Sequence, residues 1–123
     1  MKLILMIGVG GFIGTICRYL LSLLIQNKFL STYPFGTLSV NIIGCFLIGI
    51  IYALSDRGHF SVEWRLFLAT GIMGGFTTFS TFSNETVSML RDAQYGNALL
   101  YVSGSVILGL LATFCGIILI KLF

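Results

Sequence analysis

The stretch that decides the architecture is Gly71-Ile-Met-Gly-Gly-Phe-Thr-Thr-Phe-Ser-Thr-Phe-Ser83. From Thr77 to Ser83 every residue is either a hydroxyl side chain or phenylalanine, and Gly74 and Gly75 come immediately before. The run sits inside a segment that carries no charge between Leu66 and Asn84, about midway between Trp64 and Arg91. Each glycine in a helix interior costs about 1 kcal/mol relative to alanine, so the spacing predicts a weak point in the helix at the Gly-Gly pair. Lipid cannot satisfy freed backbone groups, so a break at mid-membrane must be buried in protein or line a wet cavity. One half-helix would then end in carbonyls that attract cations, and the other would begin with amides that attract anions.

Outward from this segment, the charges divide the chain into four apolar stretches of roughly the 20 residues that a bilayer core needs. They run over about residues 3–25, 35–55, 63–91 and 95–121, with the break in the third expected near 74–78. The fold class is therefore an all-α membrane protein, one domain over residues 1–123 with four transmembrane helices. The opening Met-Lys and apolar run reads as a resident helix, because it is too long for a signal peptide and no small-x-small site follows it.

Composition supports the membrane reading and removes others. Of 123 residues, 57% are hydrophobic and only 9% are charged, with a mean hydropathy of +1.03. About a quarter of a typical soluble domain is charged, so a soluble enzyme is excluded. The net charge of +3 comes from scattered residues rather than a basic patch, which excludes a nucleic-acid partner. Cys17, Cys45 and Cys115 are dispersed in apolar runs and read as packing residues, not as a disulfide or metal framework. With the termini on one side, Lys2, Arg57, Arg65 and Lys121 flank that side, against Lys28 and Arg91 on the other. The bias of four against two favours termini in the cytoplasm, and it is small enough to suit a chain that inserts both ways.

Polar groups within the spans are few. Phe79 and Phe82 lie three apart on one face of the second half-helix, where ring edges offer a weakly positive lining; core packing or lipid contact is the alternative. Thr37, Asn41 and Cys45 recur at spacing four on one face of the second span. Asn41 has two roles open to it, an inter-helix hydrogen bond or a donor to a passing ion. Arg18, late in the first span, either lines a vestibule or snorkels to the headgroups. Glu85 either pairs with Arg18 or faces water. Gly10/Gly14 and Gly71/Gly75 allow close helix approach. Tyr101, Ser105, Gly109, Ala112 and Gly116 form a stripe suited to helix packing. No nucleophile–base pair is visible, so no enzymatic activity is expected.

Three motifs resemble the signature of the Fluc/CrcB fluoride channels: Gly10-Gly-Phe-Ile-Gly-Thr-Ile-Cys-Arg18-Tyr19, Gly36-Thr-Leu-Ser-Val-Asn41-Ile-Ile-Gly44 and Gly74-Gly-Phe-Thr-Thr-Phe79-Ser-Thr-Phe82-Ser83. The resemblance spans all four segments in order. It implies an antiparallel, dual-topology homodimer in a bacterial plasma or inner membrane, with two passive fluoride pores that lower cytoplasmic fluoride. By motif position it implies a fluoride path along Asn41, Phe79, Phe82, Ser80, Thr81, Thr37 and Glu85, with Arg18 in a vestibule. It further implies a structural sodium ion at the two-fold axis, held by the backbone carbonyls of Gly74 and Thr77. Cys17 and Cys45 stand where alanine or leucine would be equally expected. Two other classes compete. An exporter of cationic drugs shares the four-helix format but normally needs a membrane-embedded acid deep in a span. An assembly subunit of a larger complex would carry no ion flux.

Overall fold

The computed structural model describes residues 1–123, and every element in it is helical. Helix α1 covers Lys2–Phe29 and α2 covers Phe35–Asp56. The third segment is composite: α3 (Val62–Arg65), a π-helical stretch (Leu66–Met73), α4 (Gly74–Phe76) and α5 (Phe79–Arg91). Helix α6 covers Tyr95–Leu122. Three helices, α1, α2 and α6, are each long and apolar enough to cross a membrane.

The connections are set by local chemistry. Helix α1 stops at Leu30, which takes a left-handed conformation (φ 45°). Gln26 then ties down the turn that follows. Its amide nitrogen donates to the carbonyls of Ser31 (2.6 Å) and Tyr33 (3.1 Å), and its carbonyl oxygen accepts from the Gly36 amide (3.1 Å). Pro34 precedes the first residue of α2, where its missing N–H costs nothing. Ser61 caps α3 by accepting from the Trp64 amide.

Packing follows the glycines. Helix α2 lies along α6, and α1 lies along the π-helical stretch and α4. At the second of these crossings the backbones themselves touch. A β-carbon at Gly10 would sit 2.8 Å from the Phe67 carbonyl oxygen, and one at Gly14 would collide with the Ile72 carbonyl. A β-carbon at Gly75 would collide with the Gly11 carbonyl, whereas Gly74 faces open space. The spacing-four glycines of the two segments thus meet each other, α1 against the third segment.

The core is thin. Only 19 of 123 residues are buried, and most of the apolar side chains among them gather in one cluster around Val40, Ile51, Ala69, Met73 and Phe76 and a smaller one of Met89, Ala98 and Tyr101. Phe12, Leu24, Leu99, Leu110 and Phe114 are each at least 60% exposed. Hydrocarbon is the solvent that suits such a surface.

Gly74 and Gly75 do not unwind the helix. Both stay helical, and the Gly74 amide still donates to the carbonyls of Ala69 and Gly71. The extended residues are instead Thr77 (φ −89°, ψ 156°) and Thr78 (φ −148°, ψ 114°). The physical reason is a division of labour. Gly75 removes a β-carbon so that α1 can approach, while β-branched threonines accept extended backbone readily.

Candidate ion pathway

The interruption at Thr77 and Thr78 is held by side chains from the neighbouring helices. Asn41, one turn into the polar face of α2, bonds to both backbone groups of Thr78. Its Oδ1 accepts from the Thr78 amide (2.8 Å), and its Nδ2 donates to the Thr78 carbonyl (3.1 Å). That pairing fixes the amide orientation and leaves one Nδ2 hydrogen free to donate elsewhere. Of its two open roles, the inter-helix bond is therefore made, and one donor is still unspent.

Thr78 also caps α5. Its Oγ1 accepts from the Thr81 amide (3.2 Å) and donates to Thr81 Oγ1 (3.0 Å), and it lies 3.3 Å from Ser80 Oγ. Thr77 Oγ1 folds back to donate to the Met73 carbonyl (3.0 Å), which also accepts from the Thr77 amide (3.0 Å). The Thr78 amide, which in a continuing helix would donate to the Gly74 carbonyl, goes to Asn41 instead, and the Thr77 carbonyl receives no hydrogen bond; the amides of Phe79 and Ser80 open α5 with no preceding helical turn in register to accept them. A helix end leaves such groups unpaired by construction, and here two residues separate the end of α4 from the start of α5.

Arg18 reaches this interruption from α1. Its Nε donates to the Gly75 carbonyl at 3.0 Å. The pairing of Arg18 with Glu85 is not formed, and Glu85 does not simply face water. Its Oε1 accepts from Thr37 Oγ1 (2.7 Å) and its Oε2 accepts from Tyr101 OH (2.6 Å). A carboxylate within an apolar bundle takes the nearest donors, and Thr37 and Tyr101 are both buried beside it.

The Phe79 and Phe82 rings lie 5.5 Å apart at 45°, and Phe82 in turn packs against Tyr101 at 5.1 Å with the rings tilted by 51°. Phe79 itself is 79% exposed, so the bundle does not cover it.

Two clefts flank the interruption. One, of about 400 Å³, is lined by Asn41, Thr78, Phe79, Phe82, Ser105 and further apolar residues, none of them charged. The other, of about 610 Å³, is lined by Arg18, Gln26, Thr37, Thr78 and Thr81 among others. Thr78 belongs to both. The residues predicted for a single path are thus shared between two faces: Asn41, Phe79 and Phe82 on one, Thr37 and Thr81 on the other, where Arg18 of the predicted vestibule joins them. Ser80 is exposed beside them, and Glu85 lies behind as the anchor of Thr37 and Tyr101.

Two polar residues in α6 gain a meaning that packing alone did not suggest. Tyr101 is the partner of Glu85, and an acid inside a span needs donors, which is the signal that points to it. Ser105 Oγ is buried without a hydrogen-bond partner and lines the uncharged cleft. It lies one turn after Tyr101 on the same face. Outside the spans, burial pushes the Tyr33 hydroxyl above its ordinary pKa.

Comparison with known proteins agrees over nearly the whole chain. The family model described as "CrcB-like protein, Camphor Resistance (CrcB)" matches residues 5–117. A protein of Phocaeicola vulgatus named "Fluoride-specific ion channel FluC" is 46% identical over 117 residues, covering 95% of this chain and 97% of its own. A Parabacteroides distasonis protein of the same name is 49% identical over 113 residues, covering 92% and 88%. A third, from Thermus thermophilus, is 47% identical over 116 residues, covering 94% and 93%. With its apolar helices, the chain is a multi-pass integral membrane protein rather than an enzyme. It belongs to the CrcB-like family.

Proposed function

We propose that this chain forms a fluoride-selective passive channel that lowers cytoplasmic fluoride across a bacterial plasma membrane. The names of its relatives support fluoride as the ion. The observation that carries the mechanism is the interruption at Thr77–Thr78, which opens on a cleft with neutral donors and no charged side chain.

Fluoride is small and strongly hydrated, so a path must replace water with donors yet release the ion again. The free Nδ2 hydrogen of Asn41, the hydroxyls of Ser80 and Thr81 and the unpaired amides at the start of α5 are donors of this kind. The ring edges of Phe79 and Phe82 add a weak positive lining without fixed charge. Thr37 extends the path along the second cleft, and Glu85, hydrogen-bonded behind it, holds its hydroxyl in place. Arg18, whose terminal guanidinium nitrogens make no bond within the chain, supplies vestibule charge that draws anions toward the mouth.

The working unit in this reading is an antiparallel, dual-topology homodimer with two pores and four spans per chain, the third broken at mid-membrane. The small positive-inside bias supports two-way insertion, and the exposure of Phe79 supports a second copy beside it. A structural sodium ion at the two-fold axis belongs to the same reading. The residues fit it, because the Gly74 and Thr77 carbonyls accept no hydrogen bond within the chain. Such an ion, when bound, would give these carbonyls the partner that the chain itself does not supply.

The test is fluoride efflux from proteoliposomes of the purified protein, read with a fluoride-selective electrode. Rapid fluoride loss with little chloride loss is expected. Equal chloride conduction, or no fluoride flux from a monodisperse dimer, sinks the reading.

A further inference from the structure

Around the interruption the hydrogen-bond acceptors are shared out unevenly. The Met73 carbonyl takes two donors from Thr77. The Thr78 carbonyl takes Asn41. Of the carbonyls at the end of α4, Gly75 alone is occupied, by Arg18 Nε at 3.0 Å. Gly74 on one side of it and Thr77 on the other receive nothing from the chain. The contact spans 57 positions of sequence and joins α1 to the third segment beside the glycine crossing. No group of three or more acidic, histidine or cysteine side chains that would bind a metal exists anywhere in the chain. Glu85, the carboxylate of this region, is already engaged by Thr37 and Tyr101.

We infer that Arg18 is a positioning residue for the cation at the interruption, an inference that rests on the sodium reading above. By occupying the Gly75 carbonyl, Arg18 removes it as a competing ligand and fixes the last turn of α4. Gly74 and Thr77 are thereby left as the acceptors a cation meets. A hydrogen bond to a charged donor is directional and about twice as strong as a neutral one, so it selects one orientation of that turn. A planar guanidinium with Nε in its fork holds this geometry in a way that the point charge of a lysine does not.

The experiment measures thermal stability of the purified, detergent-solubilised protein while sodium is exchanged for N-methyl-D-glucamine at constant ionic strength. The unaltered protein is expected to gain stability with sodium along a saturable curve. Arg18→Gln is expected to need about tenfold more sodium for half of that gain. Arg18→Lys is expected to fall between the two. Variants that are merely less stable, with an unchanged sodium midpoint, overturn the inference while leaving the cation reading intact. An unaltered protein without any sodium dependence removes both.

A second measurement needs no variant, in case Arg18 substitutions do not fold. Carbonyl carbons are 13C-labelled in Thr with 15N-Thr, and in Gly with 15N-Phe, and read by solid-state NMR in lipid. The Thr77–Thr78 pair is unique in the chain, and the Gly–Phe pairs are Gly11–Phe12 and Gly75–Phe76. Sodium exchange is expected to move the Thr77 carbonyl and leave both glycine carbonyls in place. Movement of the Gly75 carbonyl overturns the inference.

Discussion

The two halves of the third segment are built by opposite means. Before the interruption, residues from Leu66 to Phe76 are apolar apart from Thr70, and they are held by backbone laid directly on the backbone of α1. After it, α5 is held largely by hydrogen bonds and ring contacts: Thr78 to Asn41, Glu85 to Thr37 and Tyr101, Phe82 against Tyr101. The first half has no room for a single added carbon at Gly75, while the second carries polar groups whose bonding capacity is only partly used. Rigidity is concentrated on one side of the break, and the available donors are concentrated on the other.

The largest effect should come from forcing the rigid half apart. Gly75→Val places carbons against the Gly11 carbonyl, where neither backbone can yield, and is expected to cost about 3 kcal/mol, the upper end for overpacking. Loss of monodisperse protein on size-exclusion chromatography is the readout. The neighbouring Gly74→Ala, which meets nothing within its own chain, is expected to leave helical content by circular dichroism unchanged, with an intrinsic helix gain of about 1 kcal/mol. Equal behaviour of the two variants would break the contrast.

The polar half is expected to fail in function before it fails in assembly. Asn41→Ala strands the amide and carbonyl of Thr78, and fluoride efflux is expected to drop by roughly ten- to a hundredfold in protein that still purifies as one species. Phe82→Ile and Phe79→Ile come next, with efflux reduced about three- to tenfold and assembly intact. Phe82 is the more sensitive of the two because it also rests on Tyr101. Normal efflux in both would remove the ring-edge account.

The smallest effect concerns the turn before α2. Burial raises the Tyr33 pKa in the folded state, so that contribution to stability is whole below about pH 10 and fades as pH climbs toward the folded value. Tyr33→Phe is expected to flatten the alkaline decline of the thermal midpoint between about pH 9 and 11. An unchanged slope would mean that the hydroxyl ionises freely in the folded protein.

Much of this contrast can be read from residue order alone. Charge spacing marks the apolar segments, and the hydroxyl–phenylalanine run marks the polar half. The location of the interruption is less legible. Glycine weakens a helix, but it also lets helices touch, and sequence does not say which use prevails. At Gly75 contact with α1 wins, so the extended residues move to Thr77 and Thr78. The π-helical stretch left no sign, because Leu66–Met73 has the composition of any apolar helix. That Glu85 needs donors is legible, but which hydroxyls supply them is not. Thr37 lies 48 positions before it and Tyr101 lies 16 after it, and only packing brings their hydroxyls to one carboxylate.

Thr78 forms the boundary between the two clefts and is also the residue whose amide and carbonyl Asn41 holds. As the residue common to both linings, it cannot be changed on one side alone. Any alteration that swells, shifts or repolarises it is felt on both faces together. The two faces are therefore not free to diverge, and a chain that improved one by remodelling Thr78 would rewrite the other in the same step.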